Sequence, residues 1–365
     1  MTDNVLPVAA RFFPPLEIAG MEPHGTGKVN DTFLVKTSGA GGQSFILQRI
    51  SSAVFAHPEW IMENMRVLFD HVEGKLRQEP ERGWRLPGLH QTLDGRDFYR
   101  DGDGSCWRVL RYIAKTRSFD TMENVSQARE VGLALGRFHR LISDLDPARL
   151  HDTLPGFHIT PRYLGHYDRV AQAGRHAASP DIVFCHDFIA RRRAQAGVLE
   201  AGRSAGKLTL RPIHGDPKLS NFLFDEESGK AVSLIDLDTV KPGLIQYDVG
   251  DCLRSCCNRA GEESSPGEVF FDTERCRAIL QGYVAEAGGF LTSHDYDYFY
   301  DGLRVIAFEL GLRFFTDYLE GNIYFKTLSA EQNLQRALVQ FALAASIEKQ
   351  AAKIAAICCE LNPWA

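Results

Sequence analysis

The residues with chemical reach gather in Ile213-His214-Gly215-Asp216-Pro217-Lys218-Leu219-Ser220-Asn221 and, further along, in Leu234-Ile235-Asp236-Leu237-Asp238. The first stretch has the spacing H-x-D-x-K-x-x-N, and the second ends an apolar run with an aspartate. Phosphoryl transfer from a magnesium-bound nucleotide needs such a set. One carboxylate has to orient the acceptor hydroxyl and take its proton. Oxygen ligands have to hold Mg²⁺, which takes one or two carboxylates and completes its shell with phosphate and water. A cation offsets charge on the transferring group. Asp216 fits the base, Asn221 and Asp236 the metal ligands, and Lys218 the cation. Pro217 pins the backbone after Asp216, and His214 fits a role in holding the loop. A polar turn between strands accounts for an isolated H-x-D pair, but not for the whole pattern followed by Ile-Asp.

Such groups work only if the rest of the chain holds them in a cleft. Thr32 to Lys36 alternates, Ser38 to Gly42 is a turn cluster, and Phe45 to Ile50 follows, which predicts a hairpin with a long turn. His57-Pro58-Glu59 opens a helix with Ile61, Met65, Leu68, Phe69 and Val72 on one face. Cys106 to Ile113 reads as a strand. Helical periodicity then dominates from Thr121 onward, interrupted by short apolar runs at Leu208 to Ile213, Phe222 to Phe224 and Val232 to Leu237. Tyr298 to Tyr318 and Ala330 to Cys359 read as long terminal helices. The layout is α+β: a small β-rich lobe over 1–112, a hinge near Arg111 to Lys115, and a larger, mostly helical lobe over 113–365. A cleft between such lobes is a natural ligand site.

Composition narrows the partners. The chain has 365 residues and a formal net charge of −6, which gives no electrostatic footprint for nucleic acid. The run Arg191-Arg192-Arg193 reads as a solvated helix face. No basic segment leads into an apolar stretch near Met1, and the apolar run Ala337 to Ile347 is too short to cross a bilayer. A cytoplasmic protein with no membrane partner is the expectation. The eight cysteines lack paired C-x-x-C spacing, so reduced thiols are expected.

His214 to Asn221 with Ile235-Asp236 resembles the aminoglycoside phosphotransferase and choline kinase superfamily, whose fold is protein-kinase-like and two-lobed. Gly27-Lys28-Val29-Asn30-Asp31-Thr32-Phe33, Phe45-Ile46-Leu47-Gln48-Arg49-Ile50, Leu312-Arg313-Phe314-Phe315-Thr316-Asp317-Tyr318 and Ile235-Asp236-Leu237-Asp238-Thr239 are similar to its bacterial N-acetylhexosamine 1-kinase branch. The resemblance implies ATP and Mg²⁺ as cofactors and a small-molecule acceptor, a sugar in that branch. It places Gly25, Gly27 and Asn30 in a loop over the phosphates, and Arg111, Tyr112 and Ile113 at adenine. It sets Arg313, Asp317 and Tyr324 near the acceptor. Asp238 shares strand parity with Asp236, which turns it to the same cleft to meet substrate or a second metal.

One position departs from the pattern. Kinases place a lysine on the third strand, paired with a helix glutamate, to hold the phosphates. Here that position is Gln48, Glu63 is the candidate glutamate, and Arg66 or Lys28 are candidates for the missing charge. This leaves two alternatives beside a sugar kinase: a nucleotide-binding pseudokinase, and a kinase for an aminoglycoside, choline or homoserine. Gly25-Thr26-Gly27-Lys28 is not a Walker A loop, since Val29 stands where Ser or Thr is required. Gly202-Arg203-Ser204-Ala205-Gly206 lacks the strand-turn-helix order of a nucleophile elbow. Asp248 reads as a helix cap or a brace for the catalytic loop, and His139 as a packed helix histidine.

Overall fold

Alternating apolar runs at the N-terminal end pair into an antiparallel sheet, and amphipathic segments cover its two faces. The computed structural model describes residues 5–25, 29–38, 42–78, 83–174 and 179–365. A short helix α1 (Leu6–Ala9) precedes β1 (Ile18–Pro23), β2 (Asp31–Thr37) and β3 (Ser44–Ile50). Helix α2 (Pro58–Gln78) follows, then β4 (Leu89–His90), β5 (Tyr99–Arg100) and β6 (Cys106–Arg111). The sheet order is β1-β2-β3-β6-β4, with β5 on β6. Its register sets Thr32 opposite Gln48, and Gln48 opposite Arg108. The expected face of α2 is buried at Ile61, Met65, Leu68, Phe69 and Val72. Cys106 and Leu110 of β6 join that core. Trp107 and Val109, of opposite parity, pack with Val8, Phe12 and Phe13. Arg108 therefore lies on the α2 face.

The remainder is mostly helical, as expected of an α+β chain of this type. It runs β7 (Thr116–Arg117), α3 (Val125–Ile142), α4 (Thr160–Ala173), α5 (Pro180–Arg192) and α6 (Val198–Ser204). Then come β8 (Arg211–Ile213), β9 (Phe222–Asp225), β10 (Ala231–Leu234) and β11 (Lys241–Gly243). The last helices are α7 (Ile245–Cys257), α8 (Thr273–Ala287), α9 (Ser293–Asp297), α10 (Phe299–Leu319), α11 (Gln332–Lys349) and α12 (Ala351–Leu361). Asn124 caps α3 by accepting from Gln127 N. The β8–β11 pair and the β9–β10 hairpin bracket the two chemical stretches, 214–221 and 235–240. Asn64 ties α2 to both ends of this region. Its Nδ2 donates to His151 O and Val240 O, and its Oδ1 accepts from His151 N.

One expectation needs correction. The terminal helix expected over 330–359 breaks at Gln350, whose Nε2 donates to Phe271 O at 2.8 Å instead of lying on a helix surface. The break lets α11 pack on α10 while α12 packs on α8. The helix carrying Phe314 ends at Leu319, so Phe325 arrives on a returning loop and its ring meets Phe314 at 4.6 Å. Arg192 and Arg193 pair with Glu348 and Asp168, as suits a charged outer face. All eight cysteines are free thiols. Among the described residues no helix is long and apolar enough to cross a membrane.

Helices α3 and α8 make the closest helix contact, with Gly132, Gly136 and Gly282 at the crossing. A Cβ on Gly132 would overlap the carbonyl of Ile279, and one on Gly282 the carbonyl of Arg129. Backbone cannot yield as a flexible side chain can. We therefore expect Gly132→Ala to lower unfolding free energy by about 1–3 kcal/mol, measured by urea denaturation. An unchanged midpoint would contradict the packing described.

Candidate active site

The chain leaves β8 at Ile213 and enters a loop whose amides are claimed one by one. Asp248, on the first turns of α7, accepts from His214 N at 2.7 Å and Gly215 N at 2.8 Å. Its Oδ2 also receives His139 Nε2 at 2.8 Å, so Asp248 braces the loop. Burial opposes its charge, but the bond from His139 and the loop amides hold its pKa below the usual carboxylate range. Gly215 has φ 89°, and any side chain there would strike Thr239. Further on, Leu219 N donates to Ser255 Oγ at 3.1 Å, again on α7.

His214 joins this loop to the metal-side strand. Its Nε2 faces Ile235 O at 2.9 Å, so that nitrogen carries the proton, and Nδ1 accepts from Asp216 N at 3.2 Å. Both bonds suit the neutral ring, and burial lowers its pKa accordingly. Asp216 is thereby aimed into the cleft beside Lys218, whose Nζ lies 2.5 Å from Asp216 Oδ2. Burial disfavours the ammonium, but Asp216 and then Asp236 outweigh it and raise the Lys218 pKa. Asn221 donates from Nδ2 to Asp216 O at 2.7 Å, and Ile235 N bonds Asn221 O at 2.9 Å. The structure thus brings Asp216, Lys218, Asn221 and Asp236 together.

Asp236 is held in the left-handed conformation with φ 65°, a strained state for a non-glycine residue. It is solvent-accessible and, among the described residues, no protein group hydrogen-bonds or pairs with it. The surrounding protein, and then the charge of Asp238, push its pKa up. A carboxylate so placed fits a cation. No group of three or more His, Cys, Asp or Glu capable of holding a metal occurs among the described residues.

Other expected site residues have different partners. Asp238 is not on a strand but in a 3-10 turn, Leu237–Thr239. Its carboxylate is buried between the lobes, with Arg108 Nη2 2.5 Å from Oδ1 and Asn30 Nδ2 donating to Oδ2 at 2.7 Å. Its carboxylate is therefore engaged by protein groups. The Asn30 side chain is occupied likewise, its Oδ1 accepting from Ser51 N. Glu63 is exposed and meets His151 at 2.8 Å, with no link to the third strand. Arg66 pairs with Asp97, away from the cleft. The charge near Gln48 comes instead from Arg108, fully buried one strand over. Its Nε and Nη2 donate to Gln48 Oε1 at 3.1 and 2.8 Å, and Gln48 Nε2 donates to Thr32 Oγ1.

At the hinge, Arg111 N and Tyr112 N donate to Gly88 O and Ser44 O, and Ile113 O accepts from Thr116 Oγ1. Gly25 has φ 73°, and the adjoining His24 ring meets the Tyr112 ring edge-on at 6.0 Å, so the first glycine of the expected phosphate loop lies by the hinge. Gly27 and Lys28 lie outside the described residues. On the acceptor side, Arg313 sits 5.0 to 5.7 Å from the rings of Phe157, Tyr163, Tyr324 and Phe325. No carboxylate pairs with it among the described residues. Tyr324 stands beside it. Asp317 lies behind, its oxygens accepting from the amides of Ile323, Tyr324 and Phe325 and from Asn333. It thus fixes the 323–325 loop against α10 and α11.

Two residues escaped the sequence reading, Arg108 and His158, while His139, read as a packed helix histidine, is buried in α3 and also holds Asp248. His158 Nε2 faces Gly215 O at 2.7 Å and Nδ1 faces Glu309 Oε1 at 3.0 Å. Both acceptors are oxygens, so both nitrogens carry protons. Burial opposes the imidazolium, but Glu309 outweighs it and raises the pKa.

Comparison with known proteins follows from this geometry. Residues 20–283 match the phosphotransferase enzyme family. The fold is similar to a microcompartment-associated aminopropanol kinase, with TM-score 0.66 and 14% identity over 97% of this chain and 99% of that one. It is also similar to choline kinase from Cryptosporidium parvum, with TM-score 0.61 and 12% identity over 99% of each chain. A spectinomycin phosphotransferase, solved with ADP and spectinomycin, gives TM-score 0.56 and 13% identity over 98% of each chain. These structures share the antiparallel sheet followed by a mostly helical part.

Two outcomes are expected. Arg108→Met leaves Asp238 buried without its cation and should cost about 3–5 kcal/mol, most of it recovered in Arg108→Met/Asp238→Leu. Denaturant melts of the two variants check this, and equal losses in both would refute the pairing. His158 has a raised folded pKa, so its contribution to stability is complete below the unfolded value of about 6.5. It is lost as pH rises through the folded value. Wild-type stability should fall over that range relative to a His158→Phe/Glu309→Met variant, whose curve lacks this component.

Proposed function

The chain belongs to the phosphotransferase enzyme family, with an alcohol group as acceptor, and from that premise we propose that it moves the γ-phosphoryl group of ATP onto a sugar hydroxyl. Asp216 accepts a hydrogen bond from that hydroxyl and takes its proton late, as the phosphoryl group moves in line. Lys218, kept protonated by Asp216 and Asp236, offsets charge on the moving group. Asn221 and Asp236 would hold Mg²⁺, which when bound neutralises phosphate oxygens. ATP is supported by the ADP found with the spectinomycin phosphotransferase of this fold.

The observation that carries the acceptor class is Arg313. It is a guanidinium ringed by aromatic faces, without an acid partner, and close enough for its charge to act on Asp216. A cationic acceptor such as choline or an aminoglycoside would be repelled there. A neutral sugar offers oxygens to the guanidinium and a ring face to Tyr324. An N-acetylhexosamine adds an amide carbonyl as a further acceptor for Arg313. Its anomeric hydroxyl, more acidic than other sugar hydroxyls, eases the task of Asp216. The product is then a sugar 1-phosphate.

A thermal-shift panel with Mg-ATP, followed by a coupled assay of ATP turnover, tests this. N-acetylated hexosamines should raise the melting temperature and be turned over, while choline, amino alcohols and aminoglycosides should do neither. Asp216→Asn should lower kcat by about 10²–10⁴-fold with binding retained. Turnover of a cationic acceptor, or none by wild type with any acceptor, would overturn the reading.

A further inference from the structure

The Gly215–Asp216 peptide group is gripped at both ends. Its N–H, on Asp216, donates to His214 Nδ1 at 3.2 Å, and its C=O, on Gly215, accepts from His158 Nε2 at 2.7 Å. This peptide is the last rigid unit before the Asp216 side chain, so its tilt sets where that carboxylate points. The His214 end belongs to the loop itself. The His158 end comes from a separate part of the chain, just before α4.

We propose that His158 is a positioning residue for Asp216, holding the Gly215 carbonyl so that the carboxylate is aimed at the acceptor hydroxyl. The inference rests on Asp216 being the base. Four features of the surroundings fit a part built for this. First, His158 has φ 66°, a conformation that persists in non-glycine residues only where neighbours over-determine it. Second, the groups facing it are fixed. Glu309 of α10 takes Nδ1, and its other oxygen is held by Thr160 Oγ1 at 2.6 Å. Asp251 of α7 adds a negative charge nearby, itself paired with Arg254 at 2.8 Å. Third, the ring is wedged between Phe157, at 3.8 Å, and Tyr247, at 5.4 Å. Fourth, Glu309 lies one turn before Arg313 on α10. The helix that carries the acceptor-side cation thus also anchors the residue that holds the base.

The test uses the full chain and the double variant His158→Phe/Glu309→Met, which removes both charges and leaves neither buried alone. With folding confirmed by thermal melt, kcat should fall about 10–100-fold, as expected for a displaced catalytic group, while KM for Mg-ATP stays within about threefold of wild type. Amide exchange of the 213–222 peptide, measured without substrate, should speed up while peptides from α8 keep their rates. Glu309→Gln serves as the rescue variant. A neutral His158 still donates from Nε2 to Gly215 O, so kcat should remain near that of wild type. Should the double variant fail to melt cooperatively, His158→Asn/Glu309→Gln, whose shorter amide does not reach Gly215 O, takes its place in the same measurements. Wild-type kcat in a folded double variant, or unchanged exchange over 213–222, overturns the proposal. Absence of turnover by wild type would remove the functional reading, while the exchange measurement still decides the part played by His158.

Discussion

A buried carboxylate receiving two consecutive backbone amides sets the course of the chain through the catalytic loop. Asp248 claims His214 N and Gly215 N, and without it two buried donors would lack partners, at a cost of about 1–3 kcal/mol each. With those amides fixed, the His214 side chain can reach back to Asp216 N and across to Ile235 O. The 214–221 loop and the turn after β10 are thereby held by one ring. His139 and Tyr283 complete the support from α3 and α8, which is why the tight glycine crossing of those two helices bears on the site.

The departure at position 48 has a physical reason in the sheet register. Gln48 faces Arg108 directly across β3 and β6. A lysine there would set two cations side by side within cross-strand reach, an unfavourable pairing. Glutamine instead offers a carbonyl oxygen to the guanidinium and passes its amide hydrogen to Thr32. The charge is moved one strand inward, where Asp238 neutralises it. The register thus explains why a glutamine stands where a lysine is expected, while the neighbouring cation is neutralised inside the protein.

Much of this was legible in the sequence because it is local. The strand alternation over 32–50, the buried face of α2 and the H-x-D-x-K-x-x-N spacing each depend on residues near one another in the chain. What escaped depends on pairing across long separations. Arg108 was visible only as a lone cation in the apolar run Cys106-Trp107-Arg108-Val109-Leu110, and Glu309 as a lone acid between Phe308 and Leu310. Each such isolated charge predicts a buried partner, though not which one. Asp238 was misplaced because strand parity was carried past Leu234, where the strand ends and a 3-10 turn reverses the side chain. The partners of Asp317, the amides of residues 323–325 and Asn333, likewise lie beyond what local spacing shows.

The pattern of charge pairing also singles out Asp236. The other acids around the cleft each have a protein cation or histidine: Asp216 has Lys218, Asp238 has Arg108, Asp248 has His139, and Asp251 has Arg254. Asp236 has none among the described residues, and the charges of Asp238 and Asp216 act against its ionisation. Evenly spread compensation would have given it a lysine or arginine. Asp236 thus lies in the field of Lys218 and Arg108 with no cation bonded to it among the described residues, on a left-handed backbone that fixes its direction. Under the proposed function, a divalent ion arriving with a nucleotide would take that carboxylate as a ligand. On that reading, cation and phosphates would bind together rather than singly, each offsetting the charge of the other.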